Sequence, residues 1–246
     1  MKKTINYAKR IILFFLGMSI IQMGVALFLK TNIGSDPMTV FTQGLASTLD
    51  KTGLKETAIV KMIAGTNTVT PGVANMIILV VLTAIILCVD YKRIKIGTLI
   101  CVVGVGPIID LGVKVISYFP VENANFFVKM LLVVVGCVII AIGFSILSAT
   151  EVGVAPNDVV PFLLQDKLKV KQYSYIRIPM DAVLLIGGFF LGGVVGVGTI
   201  LSMLLTGPFI QFTLPYGKKF VNMLVKVEEN ESADNDDIDN SEVVTA

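Results

Sequence analysis

The sequence predicts an all-α polytopic membrane protein with about six transmembrane helices. They form two inverted three-helix repeats, each with a short re-entrant or interfacial helix after its first span. Three observations predict this. Of 246 residues, 54% are hydrophobic and 15% charged, and the mean hydropathy is +0.83; ordinary soluble domains carry about 25% charged residues. Several apolar runs approach the roughly 20 residues needed to cross a bilayer. And the chain states one pattern twice, as GVALFLKTNIGSDPMTVFTQGL over 24–45 and as GFSILSATEVGVAPNDVVPFLL over 143–164.

At an offset of 119 and without a gap, six positions of that pattern are identical: Gly24/Gly143, Thr31/Thr150, Gly34/Gly153, Pro37/Pro156, Val40/Val159 and Leu45/Leu164. A second echo follows in each half. Gly97-Thr98 leads to Gly106-Pro107 and Asp110, and Gly198-Thr199 leads to Gly207-Pro208 and Gln211, now at an offset of 101. The first half therefore carries 18 extra residues (119 − 101) between the two signatures. Two echoes in the same order mark an internal duplication, which in membrane proteins accompanies transporter architectures. The expected organisation is a first repeat over 1–120 with an insertion at about 56–70, a second over 121–227, and an acidic tail over 228–246.

The expected spans are about 11–29, 74–89, 97–118, 126–148, 180–196 and 198–216. The first resembles a signal peptide in its charged start, but no small-residue cleavage site follows and the repeat begins within it, so it is read as a span. Lys and Arg concentrate on cytoplasmic loops. Lys2, Lys3, Lys9 and Arg10, then Lys92, Arg93 and Lys95, then Lys167, Lys169, Lys171 and Arg177, then Lys218, Lys219 and Lys226 all fall on one side of a six-span chain with both termini inside. Lys51, Lys55 and Lys61 oppose this arrangement. Three spans per repeat is an odd number, so the second copy enters from the opposite side, related to the first by an axis in the membrane plane.

The net charge of +2 hides an asymmetry: residues 228–246 hold eight acidic and no basic side chains, leaving the rest at +10. Such a tail is expected to be disordered and solubilising, with docking of a cytoplasmic partner as the alternative. Cys88, Cys101 and Cys137 lie in apolar runs without metal-ligand spacing, and read as small buried hydrophobes. The chain has no His, which removes the commonest metal ligand and general base. No cofactor, no bound metal, no enzymatic activity and no nucleic-acid partner is expected. The expected partners are the lipid bilayer and a small solute or ion.

Gly34 and Gly153 are expected to end the long helices, because Gly takes left-handed C-cap geometry at low cost. Pro37 and Pro156 suit the first turn of new short helices, about 38–49 and 158–168. Asp36 is the expected cap of the first, Asn157 or Asp158 of the second. The first short helix carries Met38, Phe41, Leu45 and Leu49 on one stripe, with Thr39, Thr42, Gln43 and Ser47 off it. It either lies on the membrane surface or dips inward with its positive N-terminus leading. In the second case the two short helices approach the midplane from opposite sides and present free N–H groups to a solute.

The pattern G-x-x-L-x-x-x-x-x-[IV]-G-x-x-P, followed by G-T and then G-P-[IL]-I-D, resembles the YczE/YyaS/YitT family of bacterial membrane proteins, and its YczE-like branch most. The family's turn reads A-D-L-G-x-x-P-W-D. Here the copies are Thr31-Asn32-Ile33-Gly34-Ser35-Asp36-Pro37-Met38-Thr39 and Thr150-Glu151-Val152-Gly153-Val154-Ala155-Pro156-Asn157-Asp158. The Gly and Pro stand in both copies, the Trp in neither, the Asp only in the second. The resemblance implies a bacterial cytoplasmic membrane, no known cofactor, and the absence of the soluble C-terminal domain of YitT-type relatives.

Polar residues inside spans are functional candidates, because placing them in hydrocarbon is costly. The candidates are Asn32, Gly34, Asp36, Pro37 and Thr39 at the first turn, Glu151, Gly153, Pro156, Asn157 and Asp158 at the second, and Asp110 with its repeat mate Gln211. Lys114 stands at i+4 from Asp110, placed for an ion pair. Paired acids favour a cation or proton; helix N-termini favour an anion. The leading expectation is a secondary transporter or permease-like protein for a small solute. A channel on the same scaffold, and a non-transporting scaffold or accessory protein, are the alternatives.

Overall fold

A computed structural model describes the backbone of residues 2–52, 69–169 and 174–242; side chains are described for 6–52, 69–169 except 162 and 165, and 176–225 except 177. The elements are α1 (Lys2–Thr31), α2 (Pro37–Lys51), α3 (Pro71–Asp90), a 3-10 turn (Tyr91–Arg93), α4 (Ile96–Ile116), α5 (Phe126–Ala149), α6 (Pro156–Leu168), α7 (Ser174–Phe190) and α8 (Val197–Glu242). Among the described residues there is no strand. The expected insertion lies outside them but for Val69 and Thr70.

Five helices, α1, α3, α4, α5 and the first part of α8, are long and apolar enough to cross a membrane. The expected fifth span over 180–196 is shorter. Its apolar helix covers only Ile178–Phe190, and the chain breaks at Gly192, whose φ is +91°. The apolar run read as one span is thus a short helix and a glycine turn, because Gly adopts φ > 0 without a Cβ penalty. Large apolar side chains such as Phe15, Val81, Val103, Leu131, Phe190 and Leu204 are exposed around the bundle. That is the surface a lipid solvent requires and water does not tolerate.

At the centre, α1 packs on α5 through glycines. A Cβ at Gly17 would lie 2.8 Å from the Gly143 carbonyl oxygen, and one at Gly143 would lie 2.8 Å from the Gly17 carbonyl oxygen. Gly24 faces Gly136 in the same way, 2.9 Å from its carbonyl oxygen. Small residues let two backbones approach this closely, which is how helices associate in lipid. Gly17 pairs with the higher-numbered glycine of α5 and Gly24 with the lower, so the helices run antiparallel.

The other contacts also come in matched pairs. α1 packs on α4 as α5 packs on α8, and α2 packs on α7 as α6 packs on α3. Each short helix therefore leans on the half that does not contain it. The match fails between α3 and α4, which pack tightly where α7 and α8 do not. Gly106 of α4 abuts Met76 and Gly72 of α3, while its repeat mate Gly207 has nothing within 4 Å.

Both short helices start earlier than expected, at their prolines. α2 packs on α7 and on the turn after it: Gly44 and Phe41 meet Gly188, Val40 meets Gly193, and the Thr48 hydroxyl donates to the Leu191 carbonyl at 3.1 Å. Its contact with α3 is at that helix's start, where Ala46 joins Val69, Val73 and Ala74. α6 lies at the other end of α3, where Val159 and Leu163 cluster with Ile86 and Asp166 pairs with Arg93. The two short helices thus pack against opposite ends of α3. The trace of α8 continues to Glu242, through the acidic segment expected to be disordered; extending a formed helix costs far less than nucleating one.

Candidate functional site

Two turns, one in each half, share one construction. Asn32 and Glu151 take left-handed backbone, with φ of 53° and 58°, and are followed by Gly34 at +107° and Gly153 at +153°. Thr31 and Thr150 turn their hydroxyls back onto the carbonyls of Phe28 and Leu147, at 2.8 and 2.7 Å. This satisfies polar groups at the helix ends, where carbonyls lack helical partners.

Each turn docks on the Gly-Thr helix start of the opposite half. The Gly198 N–H donates to the Ile33 carbonyl at 2.9 Å, and the Gly97 N–H donates to the Val152 carbonyl at 3.3 Å. Ile33 and Val152 are repeat mates, as are Gly198 and Gly97. The two sequence echoes are thus each other's partners, crossed between halves. A Cβ at Gly34 would lie 2.6 Å from the Thr199 Oγ1 and 2.8 Å from the Gly196 nitrogen, so this glycine is required both by φ and by the close approach.

The candidate residues fall into two groups. At about 1.5 Å per residue along the helices, Asn32 and Glu151 lie roughly 17 Å either side of the glycine crossing, so the turns are about 35 Å apart. At the first end, Asp36 caps α2: its carboxylate accepts from the Thr39 N–H at 3.2 Å and from the Thr39 hydroxyl at 2.6 Å, and Pro37 opens the helix. At the second end the capping expectation fails. α6 starts at Pro156, so Asn157 and Asp158 stand inside its first turn. Asp158 there still suits the helix dipole.

Asp110 stands near the first end, but its partner is not Lys114. Its carboxylate accepts from the Thr70 hydroxyl at 2.6 Å and from the Gly72 N–H at 3.1 Å, and so holds the start of α3. A helix N-terminus offers unpaired N–H groups and a favourable dipole, whereas an exposed lysine offers a weak contact. Gln211, the mate of Asp110, is exposed on α8 and joins neither group.

The first end holds an open cavity of about 440 Å³. Leu29, Pro71 and Val113 form its apolar walls; Lys30, Asn32, Gln43, Glu122 and Lys129 supply its polar groups. Pro71 lies between the two residues that bond Asp110, so the Asp110 latch fixes one wall. The Lys30 Nζ donates to the Glu122 Oε1 at 2.6 Å. That bond and the lysine's charge hold the Glu122 carboxyl below the usual carboxylate range.

A lowered carboxyl value means the contact is present at neutral pH and is lost as pH falls through that lowered value. The carboxyl carbon resonance of Glu122 is expected to titrate below a free glutamate, and Lys30→Met to raise it toward the ordinary value, since Lys30 is the largest cause of the lowering. An unshifted midpoint in the unsubstituted protein would contradict the pairing.

The second end differs in charge. Arg10 donates to the Thr150 carbonyl at 3.2 Å and sits 3.5 Å from the Glu151 carboxylate, while the Lys95 Nζ donates to the Glu151 carbonyl at 3.4 Å. At the repeat offset Arg10 matches Lys129, and Glu151 matches Asn32. Sequence reasoning assigned no site role to Lys30, Glu122 or Lys129. Carrying the offset of 119 back to Arg10 would have flagged Lys129; nothing in the sequence pairs Lys30 with Glu122, 92 residues apart.

The bundle defines a helical, multi-pass membrane protein. Within that class, the chain belongs to a family of unknown function, DUF6198, whose pattern matches residues 8–215. It is 28% identical over 131 residues to the uncharacterized membrane protein YczE of Bacillus subtilis (strain 168), covering 53% of this chain and 59% of that protein. It is 22% identical over 206 residues to an uncharacterized protein of Haemophilus influenzae, covering 84% of each. The YczE-like resemblance read from the turn motif therefore holds. No solved structure matches the chain.

Proposed function

We propose that the protein is a permease-like carrier of a small solute, built of two inverted halves in a bacterial cytoplasmic membrane with both termini cytoplasmic. One observation carries this reading: the same turn is built at both ends of the bundle, open to a charged cavity at the first and tied to Arg10 at the second. A carrier of two related halves works by exposing one end while the other is shut. The antiparallel glycine crossing and the crossed docking of each turn support the inversion. The distribution of Lys and Arg supports a cytoplasmic second end.

The separation of the turns, about 35 Å along the helices, favours a second reading, a channel or a non-transporting scaffold with the acidic tail as its docking segment. Reconstitution into liposomes distinguishes them. The carrier reading expects saturable uptake of a solute from a mixed panel. It expects Glu151→Gln, which removes the carboxylate facing Arg10, to turn coupled uptake into a leak or abolish it. Uptake no greater than that of empty liposomes would sink the carrier reading, and Glu151→Gln with unaltered uptake would return Glu151 to a structural role.

A further inference from the structure

We infer that the cavity at the first end is a binding site for a small organic anion with a single carboxylate, with Lys129 as the residue that receives it. The inference names the solute class of the proposed carrier and rests on that reading for its physiological use.

Both turns place their second residue in the same left-handed backbone, and both face a basic side chain of the opposite half's long helix. At the second end that side chain is Arg10, and the protein supplies its anion as Glu151. At the first end the basic residue is Lys129, and the matching position is the neutral Asn32. Among the described residues the Lys129 ammonium has no ion-pair partner within 4 Å. A carboxylate entering the cavity takes the place that the Glu151 side chain takes beside Arg10.

The rest of the cavity fixes the class. Glu122 bonds Lys30 at 2.6 Å and also feels the charge of Lys129, so the three groups together carry one net positive charge, and Glu122 opposes a second negative one. Gln43 accepts from the Val194 N–H through its Oε1, at 3.4 Å. That contact leaves the Gln43 amide nitrogen, and with it the Asn32 amide, to donate hydrogen bonds. Leu29, Pro71 and Val113 suit a hydrocarbon body. A volume of about 440 Å³ lies within the common range of small-molecule sites, roughly 300–1,000 Å³. A bare inorganic ion would leave most of it unfilled.

Titration calorimetry on the full chain in lipid nanodiscs tests this, with butyrate, pyruvate and benzoate as probes and inorganic phosphate and choline as comparators. At least one monocarboxylate is expected to bind at a single saturable site. Lys129→Met is expected to weaken it about tenfold or more, the scale of a lost charge-assisted hydrogen bond. Asn32→Glu is expected to do the same without removing a lysine, by supplying the anion internally; Glu is already accommodated in this backbone at position 151. Lys92→Gln, exposed and away from the cavity, is expected to leave binding unchanged.

The inference is overturned if none of the three carboxylates binds, if phosphate or choline binds in their stead, or if both Lys129→Met and Asn32→Glu bind as the unsubstituted protein does. Flux is read separately in liposomes. Carboxylate binding without flux supports the site and sinks the carrier reading; uptake of a solute of another class without carboxylate binding sinks the inference alone.

Discussion

Gly143→Val is expected to prevent α1 and α5 from seating together, and the purified protein to lose its single folded species. The first atom of the new side chain would stand 2.8 Å from both the carbonyl oxygen of Gly17 and the amide nitrogen of Ile21. Both are backbone atoms, so no rotamer change relieves the clash and the helices must move apart. In lipid, helix pairs are held by close packing rather than by exclusion from water, so the separation forfeits the contact itself. Overpacking a tight core costs about 1–3 kcal/mol, and this site lies where the two halves meet. Gly207→Val is the matched comparison, since nothing lies within 4 Å of a Cβ there. Thermal denaturation and size-exclusion profiles in detergent should separate the two clearly. Equal stability of the two variants would refute the glycine crossing.

The second large effect is expected at Asp110. Asp110→Ala removes the acceptor of two hydrogen bonds at the start of α3 and leaves the Gly72 N–H without a partner. Hydrogen bonds to charged groups contribute about 1.5–3 kcal/mol each, so a loss of roughly 3–6 kcal/mol is expected for the two. Asp110→Asn keeps an acceptor oxygen and is expected to recover part of it. Because Thr70 and Gly72 flank Pro71, the alanine variant should also weaken ligand binding at the cavity. Lys114→Met should change neither, since Lys114 takes no part in the latch. A Lys114 variant as damaging as the Asp110 variant would reinstate the ion pair between them.

These two sites show where sequence reading succeeds and where it stops. The membrane class, five of the expected spans, the prolines that open α2 and α6, and the Asp36 cap follow from local rules, and all are present. Gly34 and Gly153 were expected as helix stops for the sake of their backbone angles. Their stricter constraint is the helix of the other half lying against them, which no local rule reveals. The two echoes were visible as repeats, but that each docks on its counterpart across the molecule is a tertiary fact.

The misreadings share that origin. The i+4 spacing put Lys114 beside Asp110, yet a helix start brought in from 40 residues away is the better partner. A continuous apolar run over 180–196 hid a break at Gly192, because hydropathy does not register backbone conformation. The cavity's lysines sit at the ends of spans, where Lys is an ordinary interface residue. Only the repeat offset, carried back to Arg10, distinguishes Lys129 from such a residue.

The central claim is that the halves are inverted, so that matching turns open on opposite faces of the membrane. Single cysteines at Asn32 and Glu151, both exposed, test it most directly in a chain whose Cys88, Cys101 and Cys137 have been replaced. Oriented vesicles are treated with a membrane-impermeant thiol reagent from each side in turn. The account predicts that the cysteine at position 32 reacts from the outside only and the one at 151 from the cytoplasmic side only. Reaction of both from the same side would contradict it.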